Sequence, residues 1–320
     1  MRKTYHLCLS SHDEPMFRSE EDFVYGFNFF AESVLETESR ALADGELTSH
    51  EHFGVCSDCP DECMSRTRYR QTRYFNAKYR RTGPLGEKKH FCSEVDGIRH
   101  ETAMLSYVMR QGLHHGMSST PFGYPHCSSN ALFRDELGKK PDTDLMPESQ
   151  RRKYLSRNSP VGSSYRMSRS GLLLREDVID VQYVEEIFVS ARNFLFCMNR
   201  RSGTDWVQEQ EDEKSSGPAV TLDLIEKGVP DAPLDLLQNN ENGRVDKSRI
   251  TDLELCRRID RELVPEITGK TELTGREVVS VYLLEMQQRR ELGNRLWKES
   301  RAGLFPYVTE QQLRRCLVIK

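Results

Sequence analysis

No apolar run in this chain approaches the roughly 18–20 residues needed to cross a bilayer as a helix, so no membrane-spanning helix is expected in it. No large excess of one charge is present either. The 320 residues carry a net charge of −4, so any surface for a polyanion must be local. No glycine pattern of a P-loop or dinucleotide fold occurs, which argues against the common nucleotide-binding frameworks. The nine cysteines are odd in number and follow no repeating framework, which points to reduced thiols and a cytoplasmic location. The N-terminal "MRKTYHLCLSSHDEP" turns polar too early for a signal peptide. Histidine is absent after position 126: all nine lie between His6 and His126. Either chemistry is concentrated in the N-terminal part or the clustering is chance.

What is present is informative in "LTSHEHFGV", residues 47–55. Residues i and i+2 of a strand share a face, so His50 and His52 would present two imidazoles side by side. Such a pair suits a metal ion; it also occurs by coincidence on a solvated strand. Further reading gives a strand at 4–10, a helix starting at Ser19 with Asp22 at its third position, and one or two strands over 41–56. A helix at 61–81, a turn and strand at 83–97, and a helix at 100–116 follow. That order predicts an α+β fold: a ferredoxin-like βαββαβ core with an added helix, followed by a mainly α-helical C-terminal region.

The expected division is a domain over 1–140, a basic serine-rich linker or arm over 141–175, and a helical region over 176–320. Residues 177–201 read as helical, and 209–220 and 229–248 as loops. Thr251 with Glu254, Thr274 with Glu277 and Thr309 with Gln312 read as helix starts, giving final helices at 274–286, 289–301 and 309–317. That triplet over 274–320 is either helix-turn-helix-like or a packing unit without DNA contact.

On a helical wheel over 100–114, His100, Tyr107, Arg110, Gln111 and His114 share one face. Tyr107 and Gln111, four apart, are surface neighbours. A tyrosine acts as a nucleophile when its target is activated, and an amide oxygen can complete a shell begun by two histidines; the plain alternative is an amphipathic core tyrosine. In 61–81, Arg66, Arg70, Arg73, Arg80 and Arg81 recur with Tyr69, Tyr74, Phe75 and Tyr79 between them. No acidic residue falls from Arg66 to Gly86. This reads either as a solvated face or as a track for single-stranded nucleic acid.

The N-terminal part resembles the single-tyrosine HUH transposases, most closely the REP-associated tyrosine transposases. "SHEHF", "RYFNAKYRRTGPLGEKKHF", "YVMRQGLHHG" and "PFGYPHCSSN" carry the resemblance over roughly residues 4–135, and the terminal "TEQQLRRCLVIK" is similar to the end of some larger members. The resemblance implies that His50, His52 and Gln111 bind Mg²⁺ or Mn²⁺. Tyr107 would attack single-stranded DNA beside a hairpin, leaving a 5′-phosphotyrosine and a free 3′-hydroxyl. Arg66, Arg70, Arg73, Arg80, Arg81 and Arg110 would contact the DNA. The expected partners are single-stranded or hairpin DNA, with no membrane, and the expected state is a monomer or homodimer. One position departs from the family pattern: Glu51 stands where a hydrophobic residue faces the core. That departure keeps open a catalytically inactive, domesticated DNA-binding or regulatory protein. A second alternative is a structural zinc site built from Cys56, Cys59 and Cys63 with His52.

Overall fold

The computed structural model describes residues 2–199 and 250–319, apart from 116, 119 and 141. The loops expected at 209–220 and 229–248 lie outside the described residues. The N-terminal part runs β1 (Lys3–Ser10), α1 (Glu20–Glu36), β2 (Arg40–Leu47), β3 (His50–Ser57), α2 (Pro60–Tyr79), β4 (Phe91–Val95), α3 (Gly97–Met109) and α4 (Gln111–His114). The four strands form one sheet in the order β2-β3-β1-β4, every neighbouring pair antiparallel. The chain is thus mixed α+β, and its order of elements is compatible with the ferredoxin-like expectation.

Local chemistry accounts for these elements. Asp22 caps α1 by accepting from the backbone N–H of Arg18 and Ser19. Pro60 stands in the first turn of α2, where its missing N–H costs nothing, and α2 ends where Arg80 turns left-handed at φ 54°. β2 and β3 join through Thr48 and Ser49 as a hairpin.

Alternation gives the sheet two faces. Leu7, Leu9, Phe53 and Val55 point to the back, where they form one core with Phe27 and Phe30 of α1 and Phe75 of α2. Phe30 stacks on Phe53 with ring centroids 4.0 Å apart; burying one such ring contributes roughly 2–3 kcal/mol. The front face carries His6, His50, His52 and Gly54 and is covered by α3, whose Met104 lies over Gly54. β3 is therefore buried on both sides and is not a solvated strand.

Of residues 177–201, expected as one helical stretch, 200 and 201 lie outside the described residues, and the rest fall in α6 (Arg175–Val178), α7 (Val181–Phe188) and α8 (Ala191–Asn199), counting Glu148–Arg151 as α5. The breaks fall at Ile179–Asp180 and at Val189, which is left-handed at φ 70°. Val184, Phe188, Phe194 and Leu195 share a core with Met104, Leu105 and Val108 of α3. α7 and α8 therefore pack against α3. The serine-rich stretch before it lies along α1: the Asn28 side-chain amide donates to the carbonyls of Tyr154 and Gly171 and accepts from the N–H of Leu173.

Beyond residue 250, α9 (Asp252–Arg258) continues through a π-helical turn at Ile259–Leu263 into α10 (Val264–Thr268), followed by α11 (Met286–Arg301) and α12 (Glu310–Cys316). These helices enclose a core of their own around Leu255, Ile259, Leu296 and Leu313. Thr251 and Thr309 cap α9 and α12 as expected. The helix expected at 274–286 does not form, and with it goes the three-helix unit expected over 274–320. Gly275 is left-handed at φ 78°, and the β-branched run Val278–Val279 is not helical, with the Val278 N–H donating to the Lys78 carbonyl at the end of α2. Long-range pairing outweighs the local helix signal there.

A candidate active site on the front of the sheet

The front face brings His50, His52 and Tyr107 together. The His50 and His52 rings are 5.1 Å apart, and the His52 ring lies 5.1 Å from the Tyr107 ring, edge to face. Tyr107 is 7% exposed. Burial, joined by the neighbouring imidazoles of His50, His6 and His115, holds the His52 pKa well below the usual histidine range, so its ring is neutral. A neutral imidazole is the form that binds metal.

Gly45 makes this approach possible. It pairs with His52 across the β2–β3 ladder, and a Cβ there would sit 2.4 Å from the Val108 carbonyl oxygen of α3 and 3.5 Å from Cγ of Gln111. Gln111 is thus placed beside the strand position facing His52, although not as the continuous helix 100–116 predicts. The helix breaks at Arg110, and the Gln111 side-chain amide turns back to donate to the Tyr107 backbone carbonyl at 3.0 Å. Arg110, at the break, is 7% exposed; burial lowers its pKa and the Tyr107 phenol beside it raises it. His114 lies on α4 with its ring 5.1 Å from that of His115, and His115 in turn approaches His50 at 5.3 Å.

Two neighbours were not singled out from the sequence: His6 and Cys8. His6 Nε2 is 3.0 Å from His52 Nδ1, and Cys8 Sγ is 4.0 Å from His52 Nε2. The alternation of the first strand puts His6 and Cys8 on one face. Only the register, Cys8 opposite His52, puts that face beside the histidine pair.

The donor set suits a divalent cation in its chemistry: two adjacent imidazoles, one of them neutral by burial, with an amide alongside. Among the described residues, no three His, Cys, Asp or Glu side chains converge as a metal-binding group. A cation here would take its remaining ligands from the amide, a phosphate or water. The zinc set is not assembled. Cys63 is buried in the back core, where burial pushes its thiol up to about 12, whereas His52 and Cys56 face the front.

The arginine stripe lies behind the sheet on α2, away from Tyr107, and is met by carboxylates, one from α2 itself and the rest from distant segments. Arg66 pairs with Glu62 at 2.6 Å and Glu36 at 2.8 Å; Arg70 pairs with Glu36 and, at 3.3 Å, with buried Glu32. Arg81 pairs with Glu14, and Arg80 with Glu277 at 3.4 Å. Arg73 is exposed and stacks over Tyr69. Of the interleaved rings, Phe75 and Tyr79 are core residues, and Tyr74 and Tyr79 donate their hydroxyls to Asp22, so Tyr69 alone among the four is exposed. The stripe is therefore not an uncompensated track.

Glu51 points to the back, fully buried. It accepts from Gln71 Nε2 at 2.6 Å, and burial pushes its carboxyl up to about 8. Its cross-strand partner Glu46 is also fully buried and also raised, with Arg175 Nη2 3.5 Å away.

No family model matches the chain, and no curated protein matches it. Among solved structures, "Structure of the REP associates tyrosine transposase bound to a REP hairpin" is similar to part of it. The identity is 9% and the TM-score 0.33, over 44% of this chain and 84% of that one. A likeness so distant carries no argument by itself.

Proposed function

We propose that the chain is a metal-dependent single-tyrosine HUH-type enzyme that cleaves and rejoins single-stranded DNA beside a hairpin. The observation that carries this reading is the grouping of His50, His52 and Tyr107 on one sheet face, each ring about one van der Waals contact from the next. In this reading His50, His52 and Gln111 hold Mg²⁺ or Mn²⁺. The bound ion supplies Lewis-acid polarisation of a phosphate oxygen. Tyr107 Oη bonds to the scissile phosphorus, the bond from phosphorus to the 3′ oxygen breaks, and the phenol proton ends on the departing 3′-hydroxyl. The product is a 5′-phosphotyrosine, which keeps the bond energy for rejoining. Arg110, beside Tyr107, contributes positive charge where the phosphate sits, and Arg73 remains a DNA contact on the exposed part of α2. The other arginines serve first as ion-pair partners within the fold.

The test is cleavage of labelled single-stranded hairpin oligonucleotides with Mn²⁺. The wild type should nick them, and Tyr107→Phe, His50→Ala and His52→Ala should not. Nicking by Tyr107→Phe at the wild-type rate would remove Tyr107 from the reaction. A second reading, a non-cleaving DNA-binding protein on the same core, is favoured by the burial of Tyr107 and by the Gln111 amide being engaged with the Tyr107 carbonyl. Hairpin binding without nicking by the wild type would select it.

A further inference from the structure

One ring nitrogen contact at the site has consequences for the histidine pair. His6 Nε2 and His52 Nδ1 are 3.0 Å apart, with the two rings nearly parallel at 12°. At that distance one proton lies between the two nitrogens. Both rings are buried, which disfavours a charged imidazolium on either side. Two arrangements satisfy the contact. In one, His6 Nε2–H donates to His52 Nδ1; His52 then carries its own proton on Nε2, aimed towards Cys8 Sγ 4.0 Å away, and has no lone pair to offer. In the other, His52 Nδ1–H donates to His6 Nε2, and His52 Nε2 carries a lone pair that can meet a cation in place of its weak contact with the Cys8 thiol.

We propose that His6 is a positioning residue: it accepts the hydrogen bond from His52 Nδ1–H and thereby fixes the tautomer that presents Nε2 of His52 to a cation. This rests on the reading of His50 and His52 as cation ligands. Metal-binding histidines commonly donate their second N–H to a carboxylate, carbonyl or water, which orients the ring and raises its basicity. Here β1 supplies that acceptor as another imidazole. The sheet holds it there, because His6 sits opposite Gly54, one same-face position along β3 from His52. The His6 ring also meets Tyr107 edge to face at 5.8 Å, so the same residue packs against the proposed nucleophile.

The experiment is calorimetric titration of the full-length protein with Mn²⁺, without DNA, for the wild type, His50→Ala, His6→Phe and His6→Gln. The wild type should bind, and His50→Ala should lose binding. His6→Phe, which keeps a ring but offers no acceptor, should weaken binding at least about 10-fold. His6→Gln, whose amide oxygen can accept from His52 Nδ1–H, should recover most of the affinity. Wild-type affinity in His6→Phe, with binding lost in His50→Ala, overturns the role of His6 and leaves the cation site standing. Binding absent in the wild type, or undiminished in His50→Ala, removes the cation site and this role with it. Thermal melts of each variant show whether it folds. If His6→Phe does not fold, nitrogen-15 NMR of the Mg²⁺-loaded wild type decides: a proton on His52 Nδ1 supports the assignment, and a proton on His52 Nε2 overturns it.

Discussion

Glu51 is the residue whose environment makes the sharpest quantitative demand. Its carboxyl is fully buried behind the sheet and held up to about 8, mainly by loss of hydration and only partly offset by the hydrogen bond from Gln71. A carboxyl raised on folding is protonated in the folded state at pH values where the unfolded chain is already ionised. Its contribution to stability is therefore fully present below about pH 4.5 and is lost as pH rises towards 8. The loss by pH 8 is on the order of 4 kcal/mol for an isolated group, and raised Glu46 across the ladder adds to the same trend. Glu51→Val should raise the melting temperature at pH 8 more than at pH 5. Equal gains at both pH values would show that Glu51 is not held protonated. The sequence made Glu51 conspicuous because alternation set it opposite the histidines. It could not show that Gln71, twenty positions on, reaches the same pocket.

At the scale of elements, the contact between α3 and the sheet depends on Gly45, where there is no space for a side chain against the Val108 carbonyl. Gly45→Ala should cost about 1–3 kcal/mol through overpacking and should weaken nicking by moving Tyr107 away from His52. Unchanged stability in a urea titration would show that α3 yields freely. α2 makes a different demand. Arg70 neutralises Glu32, which is wholly buried and whose other contacts are the N–H and hydroxyl of Ser156. Arg70→Ala should destabilise the fold by roughly 3–5 kcal/mol by leaving that carboxylate uncompensated, whereas Arg73→Ala should leave the melting temperature within a degree or two. Similar losses from both would mean that the ion pairs of α2 do not distinguish its two sides. The elements themselves were legible in periodicity and caps: Ser19–Asp22, Thr251 and Thr309 each mark a boundary that forms. The partners of the arginines were not, because Glu14, Glu32 and Glu36 precede them by 30 or more positions and no local pattern joins them.

At the scale of the whole molecule, the C-terminal helices are attached to the sheet domain through a buried ion pair. Arg18, fully buried before α1, donates to both oxygens of Asp260 at 2.8 Å and to the Cys316 carbonyl at 2.9 Å, while Asp260 also accepts from the Val281 N–H. Tyr282 closes the junction, its hydroxyl donating to Glu14 at 2.8 Å and its ring packed against Phe75 and Tyr79. Asp260→Ala strands the Arg18 charge and should lower stability by about 3–5 kcal/mol, with faster proteolysis between residues 263 and 286. Wild-type resistance to protease would show that the apolar contacts alone hold the junction. This attachment explains why the final helices are not legible as an independent DNA-reading unit. Residues 274–286 meet the rest of the molecule instead of forming a helix of their own: the Val278 N–H donates to the Lys78 carbonyl, the Val281 N–H to Asp260 and the Tyr282 hydroxyl to Glu14.

The central claim is that Tyr107, set against His50 and His52, forms a covalent bond with DNA. The most direct measurement is mass spectrometric mapping after incubating the full-length protein with single-stranded hairpin oligonucleotides and Mn²⁺ and quenching in denaturant. The account predicts one cross-linked peptide containing Tyr107, joined through a 5′-phosphate, and its loss in His52→Ala. An adduct on another residue, or a nicked strand with no adduct at Tyr107, would contradict it.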